Sequence, residues 1–160
     1  MIPRLRARPL RSMLRRTIPI VALVLAAPSP LPALTVASAL EDFGLPGTCA
    51  PECGEAPTPL HPHAIYALTP SGEGRAVYKA GPTAPDSAYA IRGAERVADD
   101  KLTLHEEWLH DGSRLDVTLR KYRGKLKVWL SREAGGKILV KDGVVAATGY
   151  VSPWMTRCGG

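Results

Sequence analysis

The chain has 160 residues, the length of a single domain, with 21 basic and 15 acidic side chains. The formal charge of +6 is concentrated at one end: Arg4, Arg6, Arg8, Arg11, Arg15 and Arg16 all precede residue 40 with no acid among them, so the remainder is neutral. A neutral body lacks the electrostatic footprint of a nucleic-acid binder, and the absence of Asn and Gln excludes N-glycosylation and amide readout of a ligand.

Residues 1–39 read as a secretory signal peptide. Six arginines come first, an apolar stretch follows from Ile18 to Ala27, and Ala37-Ser38-Ala39 supplies a small-x-small cleavage pattern. An uncleaved anchor is the competing reading, since no charge lies between Thr17 and Leu40. Pro19, Pro28, Pro30 and Pro32 interrupt that span, so cleavage and no membrane span in the mature protein are expected. Either reading puts the rest outside the cytoplasm, in the periplasm or secreted.

Residues 40–62 read as a Pro/Gly-rich tether without periodicity, carrying Pro46, Pro51, Pro57, Pro59 and Pro62. The segment also brings Cys49, Cys53, His61 and His63 together. A copper or zinc site on His61 and His63 is conceivable chemistry, but the spacing fits no zinc module. Export makes a disulfide the expected use of cysteine, with Cys158 paired to Cys49 or Cys53.

Residues 63–160 read as an all-β domain of about seven or eight short strands, a small antiparallel meander, barrel or sandwich whose closure the pattern does not specify. Expected strands are Ile65–Leu68, Arg75–Lys79, Tyr89–Val97 with a bulge at Gly93, Lys137–Lys141 and Val144–Thr148. The clearest pattern lies between Lys101 and Ser131. Leu102, Leu104 and Trp108 alternate, and Asp111-Gly112 follows as a two-residue hairpin turn. Leu115, Val117 and Leu119 alternate next, and Arg123-Gly124 closes a second hairpin. These turns set Trp108 opposite Leu115, Leu104 opposite Leu119, Leu119 opposite Val128 and Val117 opposite Leu130.

His105-Glu106-Glu107-Trp108-Leu109-His110 imitates a zinc-protease motif, but its histidines are five apart where that chemistry needs four. In the expected register His105 faces Thr118, Glu107 faces Asp116, and Trp129 lies beside Thr118 on the polar face. His105, Glu107 and Asp116 thus form a possible cation or acid–base site, read here first as a solvated face. Glu106 falls on the apolar face, where a carboxylate is paired, protonated or engaged with a polar ligand. No phosphate loop, nucleophile elbow or calcium loop occurs, and no cofactor is expected. The expected function is a non-enzymatic, exported binding domain for a protein or small molecule, of the inhibitor or envelope-accessory type. Trp129, Trp154 and Tyr150 are its candidate contacts, with Glu106, His105 and Glu107 behind them. A periplasmic metal protein or hydrolase on His105/Glu107/Asp116 or His61/His63, and a structural envelope component, are the alternatives.

Overall fold

The computed structural model describes residues 35–159, so the arginine-rich leader lies outside the described residues. One helix, α1 (Val36–Phe43), precedes ten strands. These are β1 (Gly47–Ala50), β2 (His63–Leu68), β3 (Gly74–Lys79), β4 (Ser87–Ala98), β5 (Lys101–Trp108), β6 (Arg114–Tyr122), β7 (Lys125–Glu133), β8 (Ile138–Lys141), β9 (Val144–Val145) and β10 (Thr156–Cys158). All pair antiparallel in one sheet, in the order β10-β1-β2-β3-β4-β5-β6-β7-β8-β9. Only β10 is out of sequence, because it returns to pair with β1.

The sheet curls into a half-barrel. Bulges break the ladder at Ile91/Gly93 and Arg96/Ala98 on β4, between Thr118 and Leu119 against β7, and between Ser131 and Arg132 against β8. Each inserts a residue on one strand and deepens the local twist, which bends a flat sheet toward closure. The segment before β10 bridges back to the far side of the sheet, through Val151 to Val144 on β9 and through Met155 to Leu126 on β7. Leu126 N–H donates to Met155 O at 2.8 Å and Met155 N–H to Leu126 O at 2.7 Å, lacing β7 to the segment that leads into β10.

The inner face holds the core. Ala64, Tyr66, Ala76, Ile91, Leu102, Leu104, Val117, Leu119 and Leu126 are buried there. Helix α1 adds Ala39, Leu40 and Phe43, and Leu45 and Cys49 follow from the chain after it. Gly74 is where the helix meets the sheet: a Cβ there would stand 2.8 Å from Val36 Cγ1 and 2.9 Å from Ile91 Cβ, so a bare backbone is what the contact requires.

Two sequence expectations need correction. Residues 40–62 are not an irregular tether, since they contain the end of α1 and all of β1. The apolar residues Val36, Ala39, Leu40 and Phe43 follow the i, i+3, i+4, i+7 period of a helix face. A boundary after Ala39 falls in the middle of that period.

The second correction concerns register between β5 and β6. Asp111-Gly112 is part of a four-residue loop. Trp108 pairs with Ser113, its N–H donating to Ser113 O at 2.8 Å, while Gly112 N–H returns to Trp108 O at 2.9 Å. Asp111 keeps a negative φ, and its Oδ1 accepts from Ser113 N–H at 2.8 Å. The side chain thus stabilises an Asx turn in place of the two-residue turn. Leu104 therefore faces Val117, not Leu119, and Glu106 faces Leu115 in place of Trp108. A slip of two residues preserves which face each side chain occupies, so the apolar face survives the error. Arg123-Gly124 does form the expected tight turn, with φ of 49° and 76°, and Leu119 meets Val128 as the alternation requires. Beyond the bulge Val117 pairs with Ser131, not Leu130.

Candidate functional site

The strand pattern carries four aromatic rings across four neighbouring strands: Tyr66 on β2, Tyr78 on β3, Tyr89 on β4 and Trp108 on β5. Successive ring centroids are 6.3, 5.6 and 6.4 Å apart, the first two pairs edge-to-face and the third stacked. Such spacings are those of attractive aromatic pairs. Glu106 sits among them at 1 % exposure. Tyr78 Oη donates to Glu106 Oε1 at 2.7 Å, while Glu106 Oε2 and Tyr66 Oη have no partner. Burial raises the Glu106 carboxyl to about 7, and the Tyr78 hydrogen bond only partly opposes it. Burial, then the Glu106 charge, raises both the Tyr66 and Tyr78 hydroxyls, so both stay protonated.

A cavity of about 220 Å³ opens beside this cluster. Tyr78 and Ala64 form one side, Val128 and Met155 another, and Pro59, Pro62, Val145, Tyr150 and Pro153 cover it. The lining is largely apolar. His63 also lines it, and His63 Nε2 is buried without a hydrogen-bond partner. Tyr150 Oη donates to Leu60 O, tying the two covering segments together. The cavity and α1 occupy opposite ends of β2 and β3: His63 pairs with Lys79, whereas Leu68 pairs with Gly74 under the helix.

The outer face of β5 and β6 is arranged differently from the sequence expectation. His105 faces Asp116, not Thr118, and Glu107 faces Arg114, not Asp116. His105 Nδ1–H donates to Asp116 Oδ1 at 2.7 Å, and Arg132 Nη2 donates to Oδ2 at 2.9 Å. These two hydrogen bonds hold the Asp116 carboxyl below its usual range. Glu107 is likewise lowered by Arg92, which donates at 2.8 Å, with Arg114 at 3.4 Å. The carboxylates are therefore matched with cations, not opposed to each other. Thr118 pairs instead with Thr103, hydroxyl to hydroxyl at 2.9 Å. Among the described residues, no group of three or more His, Cys, Asp or Glu could hold a metal ion. Half-exposed ion pairs of this kind contribute little. Asp116→Ala is expected to cost less than about 1 kcal/mol, with the loss shrinking further at 0.5 M salt in urea unfolding.

The remaining candidates lie elsewhere. Trp129 is on the outer face with Arg120 at 4.8 Å and Lys101 at 5.6 Å from its ring, as cation–π partners. Trp129 is the extra residue of the β7 bulge, since Thr118 pairs with Leu130 and Leu119 with Val128, so it does not sit across from Thr118. Trp154 packs at 6.0 Å from Tyr122 with the Lys127 ammonium 5.6 Å from its ring. His61 lies 3.6 Å from Glu55, away from the His63 cavity contact. Of the residues named from sequence, Tyr150 and His63 share the cavity, and Glu106 joins it through Tyr78. Sequence reading missed Tyr78, Val128 and Val145. Alternation marked Val128 as inward, but only curling of the sheet brings β7 and β9 across from β3.

The described residues thus define an all-β half-barrel with an apolar cavity at one end. The chain matches no family model, and neither a curated protein nor a solved structure is found similar to it.

Proposed function

We propose that this is an exported, non-enzymatic binding domain that takes a small, mostly apolar molecule into the open end of the half-barrel. One observation carries the reading: an apolar cavity whose wall contains a buried ring nitrogen, His63 Nε2, with no partner. Buried polar groups in folded proteins are satisfied with few exceptions. A ligand with an apolar body and a single hydroxyl or amine fits both features. The volume, about 220 Å³, favours molecules the size of an indole or a cresol over lipids. Export is supported by the basic, apolar leader pattern and by the Cys53–Cys158 disulfide, a bond that persists in oxidising compartments.

Thermal-shift and calorimetric titration with p-cresol and indole tests the reading. A raised midpoint and saturable heat are expected, and both are expected to vanish in Val145→Phe, which fills the cavity from its cover. Toluene, which lacks the polar group, is expected to bind at least tenfold more weakly than p-cresol, about 1.4 kcal/mol for one lost hydrogen bond. Equal binding by Val145→Phe and the unaltered protein would place any ligand outside this cavity.

A further inference from the structure

The leader's expected cleavage point conflicts with the fold. Ala37-Ser38-Ala39 has the small-x-small form that a signal peptidase reads, yet all three residues lie inside α1. Thr35 caps that helix: its Oγ1 accepts from Ser38 N–H at 3.2 Å, and its carbonyl accepts from Ala39 N–H at 3.0 Å. At the other end Gly44, in the left-handed conformation with φ of 73°, returns its N–H to Leu40 O and Glu41 O. Between the caps, Ala39, Leu40 and Phe43 are 4 %, 0 % and 1 % exposed, and Val36 packs on Gly74 and Ile91.

A cut after Ala39 would change three things. It removes the N-cap. It removes Val36 to Ala39, half of an eight-residue helix, and leaves about one turn, too short to persist by itself. It also creates an α-ammonium on Leu40, a residue with no exposed surface. A charge in apolar surroundings is costly unless paired. The Arg96 guanidinium and the Lys121 ammonium already lie at this end of the core, 5.6 and 5.7 Å from the Phe43 ring.

We infer that α1 stays with the folded domain, and that the peptide bond after Ala39 is not the processing site. Leader removal falls N-terminal to Thr35, where Ala26 and Ala33 offer small residues for the peptidase. The position of the cut rests on the export reading above; the retention of α1 rests on the helix itself. The residues that resemble a recognition sequence also serve the fold: Ala39 is on the buried face of the helix, and Ser38 bonds back to Thr35.

Two measurements on the full chain test this. In a bacterium with a periplasm, fractionation with intact-mass and N-terminal sequencing is expected to find a first residue at or before Thr35. A folded product beginning at Leu40 overturns the inference. A chain found whole in the cytosol defeats the export reading and leaves the retention of α1 to the second measurement. There, Leu40→Lys, which places a cation where the new terminus would stand, is expected to lower the thermal midpoint by roughly 10 °C or more. Ser38→Lys, on the half-buried side of the same helix, is expected to shift it by less than half as much. Equal, small shifts in the two variants would mean that α1 is not docked, and would overturn the inference whatever the fractionation shows.

Discussion

Reducing the Cys53–Cys158 bond is expected to cost the fold about 4–5 kcal/mol, from the entropy of closing a loop of roughly 100 residues. The two cysteines are 105 positions apart, so the bond ties the chain's last strand to the loop after its first. Little else holds that strand. β10 has three residues, pairs only with β1 and ends the sheet. Its burial is slight, with Thr156 and Arg157 exposed. Without the bond, β10 is expected to fray, followed by the Leu126–Met155 bridge that laces β7 to it. Cys49 offers no replacement. It faces the core at 0 % exposure, and burial raises its thiol above the usual range, which suppresses the reactive thiolate. Urea unfolding with and without a phosphine reductant measures the effect, and Cys158→Ser is expected to reproduce the reduced value and ignore the reductant. A loss under about 1 kcal/mol would show that the strands alone hold the ends together.

The second large effect is on pH. Glu106 titrates at about 7 in the folded protein against an ordinary 4.5. A raised carboxyl means that the folded state binds the proton more tightly than the unfolded chain. Folding is therefore favoured most below pH 4.5 as far as this group is concerned, and its contribution is lost as the pH climbs to about 7. The full loss is roughly 3–4 kcal/mol, at about 1.4 kcal/mol for each unit of displacement. Asp116 and Glu107 are displaced the opposite way, so their stabilisation fades only in acid, below the range in which Glu106 acts. Glu106→Gln keeps the shape and removes the titration. Denaturation midpoints of this variant are expected to be flat from pH 5 to 8 relative to the unaltered protein, with the variant the more stable of the two at pH 8. Parallel pH profiles would show that Glu106 is charged in the fold, with a cation or water supplying what Oε2 lacks. Loss of the Tyr78 hydrogen bond in Tyr78→Phe is expected to raise the Glu106 midpoint further, since that bond favours the ionised form.

Much of the β architecture could be read from local pattern. Alternation from Leu102 to Leu119 assigns the inner face correctly, and the turns at Arg123-Gly124 and Asp142-Gly143 join the strands their residues mark. Asp111-Gly112 shows where local pattern stops. The same dipeptide supports a two-residue turn with both φ positive or, as here, a longer loop in which only Gly112 is left-handed. Nothing in the pair itself selects between them. The consequence reaches the candidate site, since the two-residue shift replaces an opposed Glu107–Asp116 pair with a Glu107–Arg114 ion pair and a His105–Asp116 hydrogen bond.

What the sequence alone determined is the part governed by period and by residue type. It specified an antiparallel sheet with one apolar face and a carboxylate at Glu106 on that face, because these follow from neighbours along one or two strands. Tertiary structure decided the rest. It folded Val36–Phe43 into a helix under the sheet, chose Cys53 over Cys49, and curled the strands until Tyr78, His63, Val128 and Val145 enclosed one cavity. Those outcomes depend on twist accumulated over ten strands and on contacts between residues up to about a hundred positions apart, and no local period records either.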